Sequence, residues 1–228
     1  TKLSPNSKPF PSWRAIEMPI LLPPNQELER PTAIHLLAGG QSRRMGQNKA
    51  DLMLGPLPLA QWSLRSAESL NQGEVTMVQE DRRSGQGPLA GMETAMLATP
   101  ARIHLFLTCD MPFVSSRTMG DLMSVSSQHQ RIACMQSRGY LGFPMAVPHS
   151  TLSRIGDLLD ARQHRVQSLL SVPSTLCFAW QEEDAAEAWN INTPEDLAIA
   201  RECIERDGSV APLIDRRKPL SCVQGNLS

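Results

Sequence analysis

The run Ile103-His104-Leu105-Phe106-Leu107-Thr108 is nearly all apolar. Such a run predicts a strand covered on both faces, as in a parallel sheet. The segments around it alternate between strand and helix signals. Strands are predicted at Ala33 to Leu37, Glu74 to Val78, Ile132 to Met135, Met145 to Val147, Thr175 to Trp180 and Ala188 to Ile191. Helical patterns cover Leu59 to Leu70, Leu89 to Leu97, Ser116 to Ser126, Thr151 to Leu159, Val166 to Leu170 and Pro194 to about Glu205. Alternation of this kind predicts an α/β chain with a mostly parallel sheet between two helical layers.

The ends of the chain read differently. Pro5, Pro9, Pro11, Pro19, Pro23, Pro24 and Pro31 break any period over residues 1–31, which reads as an extended N-terminal arm or linker. Residues 207–228 read as an irregular tail, leaving 32–206 as one folded domain. A chain of 228 residues is long enough for a full core. Its formal net charge of -1 supplies no positive field for nucleic acid or an anionic membrane surface. No apolar stretch is long enough to span a bilayer, and the N-terminus lacks the pattern of a secretory signal. Cys109, Cys134, Cys177, Cys203 and Cys222 form no C-x-x-C pair, so reduced thiols in a cytoplasmic protein are expected.

In a sheet of this type, ligands sit beyond the carboxyl ends of the strands. Four loops are expected there. The first is Leu37-Ala38-Gly39-Gly40-Gln41-Ser42-Arg43-Arg44-Met45-Gly46 with Lys49 beyond it. It is neither the G-x-G-x-x-G fingerprint nor a loop ending in Gly-Lys-Ser/Thr. Its glycines permit close backbone approach, and its N–H groups can face phosphate oxygens. Arg43, Arg44 and Lys49 add fixed positive charge, Arg44 able to bind in bidentate fashion. A glycine turn with solvated arginines would explain Gly39-Gly40 alone, but not three cations in one loop.

The second loop, Gly87-Pro88-Leu89-Ala90-Gly91, precedes a helix whose N-terminus favours negative charge. A plain loop-to-helix transition explains it equally well. The third, Thr108-Cys109-Asp110-Met111-Pro112, places a carboxylate after the apolar strand, where it needs a cation. Phosphate-bound Mg²⁺ uses one or two carboxylates, so Asp110 is a candidate metal ligand. A helix N-cap is the alternative, weakened by Ser115 and Ser116 further on. Cys109 reads as strand packing. The fourth is Asn190-Ile191-Asn192-Thr193-Pro194-Glu195-Asp196. Thr193 suits an N-cap, Pro194 the first helical position and Asp196 the third. Asn190 and Asn192 would face one side of an extended segment, toward the metal site or toward solvent. The histidines, His35, His104, His129, His149 and His164, have no metal-binding spacing, and His35 and His104 read as packed or surface residues.

Together the four loops resemble the MobA family of molybdenum cofactor guanylyltransferases. The resemblance covers roughly Pro31 to Arg201. It implies a three-layer αβα sandwich with a Rossmann-like sheet of the nucleotide-diphospho-sugar transferase type. The implied reaction is transfer of GMP from Mg-GTP to the phosphate of molybdopterin or molybdenum-molybdopterin, releasing pyrophosphate. Catalytic roles would fall to Arg44, Lys49 and Asp110, with Asp110 binding Mg²⁺. Leu37, Ala38, Gly39, Gly40, Ser42, Arg43, Lys49, Asp81, Gly87, Pro88, Leu89 and Asp110 would bind the nucleotide. Arg165, Asn190 and Asn192 would bind the acceptor. The Gly87 to Gly91 turn would lie near the guanine or the acceptor. The acceptor phosphate is already a nucleophile, so positioning and electrostatics suffice without a general base.

The chain departs from the family pattern in places. Asn48 stands where aspartate is common, and the segment from Lys49 to Gly87 is short, with one clear strand. The acidic residue before the second loop is Glu80 or Asp81. Gly142-Phe143-Pro144 replaces a Gly-His-Pro, and Arg165 is either an acceptor ligand or a solvated charge. These differences bear on base and acceptor identity more than on phosphate binding. Two alternatives follow: a nucleotidyltransferase using CTP or another acceptor, or a catalytically weak homologue binding cofactor within molybdoenzyme maturation.

Overall fold

The computed structural model describes residues 28, 30–39, 48–137, 140–171, 175–180 and 186–207. The chain enters through β1 (Thr32–Leu37) and, after a short 3-10 turn at Lys49–Asp51, forms a small hairpin, β2 (Met53–Leu54) and β3 (Leu57–Pro58). Then come α1 (Leu59–Glu68), β4 (Val75–Val78), α2 (Pro88–Ala98), β5 (Ile103–Thr108) and α3 (Ser116–His129). The second half holds β6 (Ala133–Ser137), β7 (Tyr140–Pro148), α4 (Leu152–Asp160), α5 (Val166–Leu170), β8 (Leu176–Ala179) and α6 (Pro194–Asp207).

Six strands make one sheet in the order β4-β1-β5-β7-β6-β8. β1 runs parallel to β4 and β5, and β6 runs parallel to β8. β7 alone is antiparallel to its neighbours β5 and β6. The apolar run that predicted a two-sided strand is β5, buried from Ile103 to Leu107.

Side chains alternate between two cores because successive strand residues face opposite ways. Ile34, Leu36, Leu105 and Leu107 meet Leu64 and Ala67 of α1 and Met119, Leu122 and Met123 of α3. On the other face Leu37, Val78, Phe106, Met145 and Val147 meet α2, α4 and α5 through Leu89, Met92, Ile155 and Leu169. Each such buried leucine contributes about 1.5–3 kcal/mol. The result is the αβα sandwich. α2 is buried continuously from Leu89 to Met96, so it is a core helix and not a surface one.

Three differences from the sequence reading have physical causes. Residues Ala188 to Ile191 form a turn and irregular chain instead of a strand. Trp189 and Ile191 are buried against Leu52, Leu54, Leu197 and Ala200, so their alternation serves a small core between the hairpin and α6. β7 is far longer than Met145 to Val147, because pairing with β6 extends it back to Tyr140, beyond the part that also pairs with β5. The segment from Lys49 to Gly87, read with one clear strand, also carries the β2–β3 hairpin, because Gly55 takes a positive φ of 59° and turns the chain back.

Candidate active site

The carboxyl ends of β1, β4 and β5 lie side by side, because the three strands are parallel and in register. β1 continues past its end: Ala38 N–H donates to the Val78 carbonyl at 2.9 Å. A Cβ on Gly39 would lie 2.9 Å from the Gln79 carbonyl oxygen, so this position needs glycine. Gly40, Ser42, Arg43 and Arg44 lie outside the described residues.

Lys49 opens the 3-10 turn, which Asn48 caps by accepting from the Ala50 N–H at 3.2 Å. Its ammonium donates to Asp110 Oδ2 at 3.3 Å and to Asn192 Oδ1 at 2.9 Å. Asp110 sits in the turn after β5 and does not cap α3; Ser115 does, accepting from Thr118 N–H at 3.2 Å. The Asp110 carbonyl accepts from Ile191 N–H at 2.8 Å, which ties the fourth loop to the third. Thr193 and Asp196 close the expected capping box: Asp196 N–H donates to Thr193 Oγ1 at 3.1 Å, and Thr193 N–H to Asp196 Oδ2 at 3.0 Å. The same carboxylate accepts from Asn192 N–H at 3.0 Å, orienting the asparagine that meets Lys49.

Two cavities flank Asp110. One, about 980 Å³, is lined by Leu37, Ala38, Gly39, Lys49, Asp81 and Asp110 among others. Gln79, Glu80, Ser84, Gly85, Gly87, Pro88 and Gly91 complete one of its walls. The other, about 750 Å³, is lined by Asn190, Asn192 and Thr193 and by the apolar Met111, Met135, Leu141 and Phe143. Pro88, Thr108 and Asp110 line both.

Asp81, not only Glu80, reaches the first cavity, and burial raises its carboxyl above the ordinary range. Its Oδ1 would lie 3.0 Å from a Cβ at Gly91, so glycine there makes room for the carboxylate. The Asn190 Oδ1 is buried, with no hydrogen-bond partner among the described residues. Leu89 is fully buried in the core, so its side chain cannot meet a ligand. Arg165 is exposed and lines neither cavity. Burial, aided by the Asp110 charge, pushes the Cys109 thiol up to about 12, which suits packing and not nucleophilic attack. The sequence reading missed the apolar shelf of the second cavity, whose members come from three separate segments. It also missed Gln79 and Ser84, which carry no pattern beyond polarity.

Among the described residues no group of three or more His, Cys, Asp and Glu side chains converges to hold a metal ion. A single carboxylate with an adjacent amide oxygen suits a hard cation whose other ligands are phosphates and water. No helix of the described residues is long and apolar enough to cross a membrane.

Comparison with known proteins matches residues 34–176 to the MobA-like NTP transferase domain. The chain is 38% identical over 188 residues to a probable molybdenum cofactor guanylyltransferase of Carboxydothermus hydrogenoformans, covering 72% of this chain and 91% of that protein. It is 30% identical over 182 residues to one from Opitutus terrae, covering 71% and 90%. The crystal structure of molybdopterin-guanine dinucleotide biosynthesis protein A from Archaeoglobus fulgidus superposes with a TM-score of 0.63 at 20% identity, covering 76% of this chain and 99% of that one. That likeness concerns the fold. With the matched family model running from within β1 to the start of β8, the chain belongs to the MobA-like NTP transferase family and is a nucleotidyltransferase.

Proposed function

We propose that this protein transfers GMP from Mg-GTP to the phosphate of molybdopterin or its molybdenum-bearing form. The observation that carries this is the shared wall: a cavity lined by Gly39, Lys49 and Asp81 and a second lined by Asn190, Asn192 and Phe143 meet at Asp110. Nucleotidyl transfer needs two anionic substrates to meet at one phosphorus. An acceptor phosphate oxygen attacks the α-phosphorus, the bond to the bridging oxygen breaks, and pyrophosphate leaves with the electron pair. The backbone beyond β1 would cradle the nucleotide phosphates, as would Gly40, Ser42, Arg43 and Arg44. Lys49 would neutralise charge as it develops. Asp110 would hold Mg²⁺, which supplies charge stabilisation to the transferred phosphoryl group. Asn190 and Asn192 would orient the acceptor, and the shelf of Met111, Met135, Leu141 and Phe143 suits a flat heteroaromatic ring. The described cysteines are free thiols, which suits a cytoplasmic enzyme.

The test supplies purified protein with molybdopterin, Mg²⁺ and α-labelled GTP or CTP. GMP transfer is expected, and Asp110→Ala should lower kcat roughly a hundredfold or more. Transfer from CTP but not GTP would overturn the donor assignment. Undiminished transfer by Asp110→Ala would overturn the metal site. A wild type that transfers nothing and instead binds a molybdoenzyme maturation protein through residues 1–31 would overturn the catalytic reading.

A further inference from the structure

The wall of the nucleotide cavity between Gln79 and Gly87 hangs from the end of β4, and two of its glycines, Gly85 and Gly87, take positive φ values of 76° and 73°. Glycine at such positions leaves a loop many alternative conformations in the absence of anchors. The anchors come from Arg82 and Arg83, neither of which lines the cavity. Arg82 N–H donates to Thr94 Oγ1 at 3.0 Å. Arg83 donates through Nε to Glu93 Oε2 at 2.9 Å and through Nη2 to Glu93 Oε1 at 3.1 Å, a bidentate pair on the buried helix α2. Its Nη1 donates to Asp160 at the end of α4. Glu93 is only 7% exposed, so its carboxylate depends on Arg83 for a charge partner. The Arg83 carbonyl also accepts from Gln86 N–H at 3.2 Å, which turns the loop toward Gly87.

The loop lies two strand positions from β5, the order being β4-β1-β5. That is roughly 10 Å from Asp110 at ordinary strand spacing. A triphosphate seated at Lys49 and Asp110 would then set its nucleoside against this wall, beside Asp81.

We propose that Arg83 is a positioning residue: by clamping the loop to α2 and α4 it holds the nucleoside-side wall in place while touching no substrate itself. The proposal rests on the nucleotide assignment of this cavity. It predicts a loss confined to the part of the ligand that meets the wall. The experiment compares calorimetric binding of Mg-GTP with binding of Mg-tripolyphosphate, which fills only the phosphate end, and follows KM and kcat in the transfer assay. Arg83→Ala should weaken GTP roughly tenfold and raise its KM in step. Tripolyphosphate binding and kcat should hold, and Arg83→Lys, which keeps charge but loses the fork, should fall between. Equal losses for GTP and tripolyphosphate, or GTP binding equal to wild type, would overturn the proposal. Should Arg83→Ala fail to fold, the same ratio in Arg83→Lys decides the matter. If the wild type binds CTP in preference to GTP, the donor assignment fails, and the ratio of CTP to tripolyphosphate then decides the role of Arg83.

Discussion

One ammonium group, Lys49 Nζ, joins Asp110 to Asn192, oxygens from two loops far apart in the sequence. Away from the site, a second polar set crosses the sheet. His35 Nδ1 lies 2.7 Å from Thr76 Oγ1, His35 Nε2 lies 3.0 Å from His104 Nδ1, and His104 Nε2 lies 2.9 Å from His149 Nδ1. His35 and His104 are fully buried. Burial, with the Arg30 charge, lowers His35 to about 3; burial, with the charges of His35 and His149, lowers His104 to about 2. Both imidazoles are therefore neutral in the fold. The unfolded chain takes up protons first, as pH falls through the ordinary value near 6.5. Stability from this set is complete above that pH and declines below it. Between pH 6.5 and pH 5 the loss is about 2 kcal/mol per imidazole. Urea unfolding at pH 8, 6.5 and 5 should show that decline, and an unfolding free energy that stays flat to pH 5 would contradict it.

At the scale of elements, α6 does more than cover the hairpin. Its capping box fixes Asn192 through Asp196, and Arg201 clasps the Met53 carbonyl through Nε at 2.8 Å and Nη2 at 2.6 Å. Trp189, Ile191, Leu197 and Cys203 fill the space between. Thr193→Ala removes one cap acceptor and should cost about 1 kcal/mol in chemical denaturation, whereas Thr193→Ser should retain most of it. Equal stability of the alanine variant would show that the cap is idle. The cap itself was legible, because Thr, Pro and Asp occupy neighbouring positions along the chain. The packing of Trp189 and Ile191 was not: alternation looks the same whether the partner is a strand or a helix.

Across the whole molecule, protection should follow position in the sheet. β1 and β5 have neighbours on both edges and helices on both faces, whereas β8 ends the sheet among the described residues, with Cys177, Phe178 and Ala179 exposed. Amide exchange in β5 should be slower than in β8 by roughly a hundredfold or more. Matching rates would mean that the edge strand is covered. The sequence by itself determined which segments are strands and helices over most of this domain, and which loops carry glycine, cation and carboxylate, because period, turn chemistry and charge act over a few residues. Only the tertiary structure decided that β7 runs antiparallel between β5 and β6, that His35, His104 and His149 align, and that Arg83 finds Glu93 and Asp160. Those contacts depend on strand order, register and helix docking, which arise from burying both faces of the sheet at once and leave no local mark in the chain.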